Sequence, residues 1–175
     1  LFLILTLMKK LLFLSFLFLL FTNCSTNKYI SSTNEIKTLS NIKTLELNKY
    51  LKNIDSNLLP NRKTIIIYIN NDPKFVEKNY QVPWDIFYGN LVQELNSVEK
   101  PNLFWIINEN VKNLHFYHGD KINWKIDKEN YLQNNFFIHN GMNGGFLILN
   151  KEGKYFFKEG EYDKKELINA YKSLN

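Results

Sequence analysis

Two histidines and an aspartate lie close together in a pattern that can bind a metal ion. Two residues separate His115 from His118, and Asp120 follows; imidazole and carboxylate groups are common zinc ligands. The spacing suits one face of a helix, but Gly119 and the neighbouring aromatic residues disfavour a helix there. We therefore predict solvated rings in a loop or at a strand end, with no metal or other cofactor. A metal site at His115, His118 and Asp120 is the alternative.

His139 and Asp85 are of residue types that suit acid–base chemistry. His139, followed by Asn140 and Gly141, can exchange a proton in a cleft, but the sequence identifies neither a nucleophile nor a partner carboxylate. Asp85, beside Trp84, is interpreted as a helix-start charge favoured by the helix dipole. The sequence thus favours a loop histidine and a helix-start carboxylate, with an enzyme of non-thiol chemistry as the alternative.

The glycine-rich segment 141–145 lacks the features of a phosphate-binding loop. No Lys-Ser or Lys-Thr pair follows it, and it leads into the apolar run FLIL, which is typical of a strand and not of a helix. We predict a tight turn at these residues.

Cys24 is the only cysteine of the chain, and it follows a short apolar segment. Lys9 and Lys10 precede the eleven residues LLFLSFLFLLF, an arrangement typical of an export signal that starts at Met8. Eleven helical residues span about 16 Å, well short of the roughly 30 Å hydrocarbon core of a membrane. Residues 1–23 are therefore predicted to be an export signal.

The segment Phe21-Thr22-Asn23-Cys24 resembles the lipobox of bacterial lipoproteins, in which the final cysteine receives lipid. The resemblance implies that Cys24 anchors the protein to a membrane of the bacterial cell envelope. Ser25 follows the cysteine, and a residue other than aspartate there implies sorting to the outer membrane in a Gram-negative cell. A plain secretory signal with an incidental Cys24 is the alternative.

The charge balance gives no indication of nucleic-acid binding. The net charge of the 175 residues is +5, and Lys9 and Lys10 lie within the export signal. The remainder is only mildly basic. Since no cysteine follows Cys24, the mature chain has no structural disulfide. Residues 24–40 are predicted to be a polar, lipid-anchored tether, and 41–175 a single domain.

The first part of this domain predicts two buried strands joined through a helix. The runs TIIIYI at 64–69 and LFWII at 103–107 are typical of strands buried on both faces. Apolar residues at helical spacing predict a helix over 84–98. Such a unit implies a parallel strand pair. Residues 42–54, with mixed spacing, predict a strand running into a helix.

The second part predicts a hairpin and a closing helix. A short helix is expected within 127–136, a strand at 146–149, a turn at 151–154 and a return strand from Tyr155. Asp163 is predicted to cap the final helix, with Glu166 three residues further on.

This order of elements, and the run FLILNKEGKYFFKEGEYDKKELINAYKSL in particular, resembles the thioredoxin superfamily and its exported thiol–disulfide oxidoreductases. The resemblance implies an α/β fold, a three-layer sandwich with a central mixed β-sheet flanked by helices. The family's Cys-x-x-Cys is missing from the matching region, Asn70 to Pro83, so dithiol exchange is chemically unavailable. The position of the family's cis-proline falls at about Gly144.

The resemblance further implies a peptide-binding loop at Asn143, Gly144 and Gly145, because this loop pairs with a peptide backbone in the redox relatives. We therefore expect a membrane-anchored envelope lipoprotein with a redox-inactive thioredoxin-like domain. Its expected role is binding or assembly, with an envelope protein or peptide as partner. An envelope enzyme using non-thiol chemistry in the same cleft is the alternative.

Overall fold

The computed structural model describes residues 35–71, 81–83, 88–139 and 144–174. The chain divides into two units, Leu1–Ser31 and Ser32–Asn175, and every described residue belongs to the second. Cys24, Asp85 and Asn143 lie outside the described residues. The predictions that concern these three residues stay predictions.

The second unit is a mixed α/β structure built on one six-stranded sheet, in the spatial order β1-β6-β5-β2-β3-β4. The strands are β1 (Lys37–Thr38), β2 (Thr64–Ile69), β3 (Asn102–Ile107), β4 (Lys125–Ile126), β5 (Gly144–Leu149) and β6 (Lys154–Glu159). The helices are α1 (Asn41–Ile54), α2 (Asn90–Val98), α3 (Tyr131–Asn135) and α4 (Lys164–Ser173), with 3₁₀ turns at Leu114–Tyr117 and Lys128–Asn130.

The predicted parallel pair is confirmed: β2 and β3 run in the same direction, with Thr64 opposite Asn102. On its other side β2 pairs with β5 in the antiparallel direction, and β5 continues into an antiparallel pair with β6. The strand that is richest in β-branched residues therefore lies inside the sheet, where such side chains pack well on both faces.

Helices cover both faces of the sheet. On one face, Leu47 and Leu51 of α1 pack with Ile66 and Tyr68 of β2. On the other, residues from α2 and α4 pack with the alternate residues of β2, namely Ile65 and Ile67; these helical residues are Leu91, Leu95, Leu167, Ile168 and Tyr171. The unit thus has two core clusters, one on each side of the sheet.

The N-terminal part of the unit differs from the sequence expectation. Residues 41–54 are helical throughout, so the strand expected at the start of this segment is absent. Ser40 explains the early start, because its hydroxyl accepts a hydrogen bond from the Lys43 amide at 3.3 Å. β1, which precedes the helix, lies within the segment assigned to the tether, and Leu39 beside it is buried.

The closing hairpin and helix follow the sequence expectation. The Asn150 side chain accepts the amides of Glu152 and Lys154 at the turn, at 3.1 and 2.9 Å. The Asp163 carboxylate accepts the Glu166 amide at 2.7 Å and caps α4. The short helix expected within 127–136 is α3, and the described part of the helix expected over 84–98 contains α2.

Candidate functional site

A cleft of about 310 Å³ lies where β2 ends and β5 begins. The two strands contribute Ile67, Ile69, Gly144 and Gly145. The segments around the strand ends contribute Val82, Tyr88, Tyr117, Gly160, Glu161 and Tyr162. Among these described residues Glu161 carries the one charged side chain, so the cleft is apolar and aromatic with a single carboxylate.

Gly144 and Gly145 do not form the tight turn expected from the sequence; they are the first two residues of β5. A Cβ atom on Gly144 would stand 2.0 Å from the carbonyl oxygen of Tyr68, and one on Gly145 would stand 2.0 Å from that of Lys158. Both positions therefore need glycine because neighbouring backbone leaves no room for a side chain.

The pairing of Gly145 bears on its expected role in peptide binding. It lies opposite Tyr68 of β2 on one side and Glu159 of β6 on the other, and the carbonyl oxygen of Gly144 accepts the Gly160 amide at 2.7 Å. Gly145 thus lies inside the sheet, without an open edge of its own. Both glycines line the cleft, and the peptide-binding role expected of this loop stays a prediction.

Tyrosine side chains form much of the cleft wall. The ring of Tyr88 lies 4.9 Å from that of Trp105 and 5.4 Å from that of His118, measured between centroids. The ring of Tyr162 packs on Phe146 at 4.8 Å. Burial raises the pKa of both Tyr88 and Tyr162 above the usual tyrosine value, so both phenols are neutral at physiological pH.

His118 holds one edge of the cleft in place. It is buried, and its Nε2 atom bonds to the carbonyl oxygen of Val82. The Val82 amide in turn donates to the carbonyl oxygen of Phe116 at 3.2 Å, and the Gln81 side chain donates to that of His115 at 2.9 Å. Contacts of the 115–118 region therefore position residues 81–83 beside the strand ends.

The alternative metal site is not assembled. His118 is buried, whereas His115 and Asp120 are exposed, and the His115 ring lies 3.1 Å from the Gln81 amide nitrogen. Within the described ranges, no group of three or more His, Cys, Asp or Glu residues is placed to hold a metal ion. The expectation that both histidine rings are solvated is wrong for His118.

His139 has a partner that sequence reasoning missed. Its backbone amide donates to Glu159 Oε1 at 2.9 Å, and its Nδ1 atom bonds to Glu159 Oε2. The Glu159 side chain is 4 % exposed and that of His139 is 29 % exposed. A buried carboxylate on Nδ1 fixes the ring orientation, as in many acid–base histidines. One sequence signal does indicate that Glu159 is buried. It follows the apolar residue Phe157 by two positions, and in a strand this spacing places both side chains on the same face.

Replacing His139 by alanine is expected to destabilise the domain by about 1–3 kcal/mol, because the buried Glu159 carboxylate loses its side-chain partner. His115→Ala, which removes an exposed ring, is the matched control. Urea denaturation followed by circular dichroism measures both. The double variant His139→Ala, Glu159→Leu is expected to recover part of the loss. Equal stabilities of the two single variants would contradict a structural pair.

A second buried carboxylate, that of Asp127, lies on the face of the sheet to which Tyr68 points. The cleft is lined by Ile67 and Ile69, which point to the other face. Asp127 is fully buried and accepts hydrogen bonds from the Tyr50 hydroxyl at 2.5 Å and the Tyr68 hydroxyl at 3.0 Å. It also accepts the amides of Leu132 and Gln133 at 3.1 and 3.0 Å. Burial raises the pKa of both tyrosines, so their hydroxyls stay protonated as donors. This network is satisfied internally and supports the fold.

Comparison of the chain with protein-family models, curated proteins and solved structures found no match. None of the helices in the described ranges combines the length and the apolar character that crossing a membrane requires.

Proposed function

We propose that this chain is a lipoprotein of the bacterial cell envelope, anchored through Cys24, whose redox-inactive thioredoxin-like domain binds an extended peptide segment of an envelope partner. The observation that carries the binding role is the cleft at the start of β5. Gly144 and Gly145 line it, at the positions where the resemblance expects the peptide-binding loop to meet its strand.

The sheet supports the thioredoxin-like interpretation. That resemblance implies a parallel first pair joined through a helix, a closing hairpin and helices on both faces, which is also how β2, β3, β5 and β6 are arranged. The short strands β1 and β4 extend this four-stranded core at its edges.

The lining of the cleft indicates which segment it accepts. Its apolar and aromatic walls suit an apolar or aromatic side chain, and its volume of about 310 Å³ is at the lower end for small-molecule pockets. Glu161, exposed at this site, favours a basic residue beside that side chain. We therefore propose a segment with an apolar anchor flanked by lysine or arginine.

Photo-crosslinking in the intact cell tests the site. A benzoylphenylalanine at position 82, where Val82 lines the cleft and is half-buried, leaves Glu161 in place and is expected to form an adduct with one defined envelope protein. The same probe at Glu152, exposed in the β5–β6 turn, is the control and is expected to form none. Adducts that are absent at position 82, or identical from both positions, would overturn the proposed site.

The anchor has a separate test. Labelled palmitate is expected to enter the wild-type chain and not the Cys24→Ala variant, and the wild-type chain is expected to fractionate with the envelope membranes. Labelling that persists in Cys24→Ala would remove the lipoprotein proposal, whatever the outcome of the crosslinking.

The pair of His139 and Glu159 favours one second candidate, an envelope hydrolase in which His139 activates water as a general base. Glu159 would orient the ring through its contact with Nδ1. A panel of ester and amide substrates tests this candidate. Turnover must be lost in His139→Gln, with folding verified by thermal melting, and turnover that persists removes the candidate.

A further inference from the structure

The solvent-facing side of α1 carries an apolar pair followed by a basic pair. Ile42 and Leu45 are 70 % and 69 % exposed, and Lys49 and Lys52 are exposed as well. These four residues recur at intervals of three and four, which places them along one side of the helix. Leu47 and Leu51 point the other way, into the core.

A groove of about 370 Å³ lies beside this side of α1, and two further cationic side chains line it. Arg62, from the segment that leads into β2, and Lys151, from the β5–β6 turn, both line it. We call the combined surface the basic face; it consists of Ile42, Leu45, Lys49, Lys52, Arg62 and Lys151. Leu59, 44 % exposed, adds apolar area to the groove.

Lys49, Lys52 and Arg62 of the basic face form no ion pair with a described residue, although the exposed Glu46 lies three residues before Lys49 and Asp55 three residues after Lys52. No aspartate or glutamate lines the groove among the described residues. Of its four cations only Lys151 forms an ion pair within the described part of the chain, at 3.9 Å from Glu152, and both side chains are more than half exposed. Exposed apolar residues flanked by lysine and arginine are typical of surfaces that bind anionic phospholipids.

The basic face is adjacent to the proposed anchor. α1 begins at Asn41, shortly after β1, and residues 24–36 would join β1 to the lipid on Cys24. A chain of that length spans at most about 45 Å when fully extended. If the anchor exists, the face is thus held at high effective concentration near the membrane, so weak contacts suffice for binding.

We infer that the basic face binds the anionic phospholipid surface of the membrane, an inference that rests on the lipoprotein proposal for its biological setting. Ile42 and Leu45 enter the headgroup region, and the four cations contact lipid phosphates. Thr64 lines the groove at one end of β2 and Ile69 lines the cleft at the other. Binding through the basic face therefore leaves the cleft at the strand end away from the membrane.

Vesicle binding by Ser32–Asn175 tests the inference without the anchor, since this unit contains both core clusters. The probes are phosphatidylcholine vesicles with and without phosphatidylglycerol. Binding is expected only to the anionic vesicles and is expected to weaken as salt is raised. Since each cation near an anionic surface contributes about fivefold in affinity, the variant Lys49→Glu, Lys52→Glu is expected to lose at least tenfold.

The matched control is Lys165→Glu, Lys172→Glu, which makes the same charge change at exposed positions of α4. This control is expected to retain most of the binding. The double variant Ile42→Ser, Leu45→Ser is expected to weaken the binding that remains at high salt.

Equal losses in the two lysine variants, or no binding, would overturn the inference. A dimer in sedimentation that Lys49→Glu, Lys52→Glu abolishes would instead assign the face to a second copy. Because this assay omits Cys24, its failure is distinguishable from a failure of palmitate labelling.

Discussion

Replacing Asp127 by alanine is expected to lower the free energy of unfolding by about 3–5 kcal/mol, because up to four buried donors lose their acceptor at once. The Tyr68 hydroxyl keeps a second acceptor in Gln133 Oε1, at 3.3 Å, and Tyr50 is half-buried, so the loss is smaller than four full desolvation penalties. The amides of Leu132 and Gln133 lose the carboxylate oxygens that accept them. Helix α3 is therefore expected to loosen first.

Two variants make this experiment specific. Asp127→Asn keeps the shape of the side chain and one of its oxygens, but its amide group points two N–H donors at groups that are themselves donors. Its free energy of unfolding is therefore expected to fall by about half as much as that of Asp127→Ala. Asp120→Ala, at an exposed position eight residues before the 3₁₀ turn that begins at Lys128, is expected to change stability by about 0.5 kcal/mol or less. Urea denaturation followed by circular dichroism measures all three. An Asp127→Ala midpoint equal to that of Asp120→Ala would show that the network contributes nothing.

Replacing Gly144 by alanine is expected to destabilise the domain by about 3–5 kcal/mol, through overpacking and backbone strain together. The new methyl group would lie 2.0 Å from the Tyr68 carbonyl oxygen, and the φ angle of +126° is one that side chains rarely adopt. β2 cannot move aside without breaking its pairing with β3. Thermal melting of the variant and the wild type measures the effect.

Gly89→Ala provides the control, because Gly89 has helical backbone angles of −62° and −52°, which alanine adopts readily. Its stability is expected to stay within about 1 kcal/mol of the wild type. A Gly144→Ala variant that melts with the wild type would contradict the close approach of β5 to β2. If Gly144→Ala shows the expected loss of stability, substitutions at Gly144 cannot be used to test peptide binding, because they would destabilise the fold itself.

The elements that local pattern determines were predictable from the sequence. The run TIIIYI is β-branched and apolar on both faces, and it forms the buried strand that such a run indicates. Asp163 at a helix start and Gly153 in a hairpin turn act through neighbours a few residues away. Their structural consequences can be read from short segments of sequence.

The candidate site was less predictable because it depends on pairing between distant residues. Asp127 meets Tyr68 across 59 positions of sequence and Tyr50 across 77. Gly144 and Gly145 are of a residue type that favours turns, but the proximity of β2 and β6 overrides this preference and places them in a strand. The partnership of Glu159 with His139 likewise requires the register of β6.

The position of β2 in the sheet has a consequence for the order in which the chain can fold. β2 is complete at residue 69, but its antiparallel neighbour β5 begins only at residue 144, and β1 at residue 37 pairs with β6. A nascent chain therefore cannot close its sheet until nearly all of it has been synthesised. For a protein exported as proposed, this delay would keep the polypeptide unfolded, and so competent for translocation, until its last strands arrive.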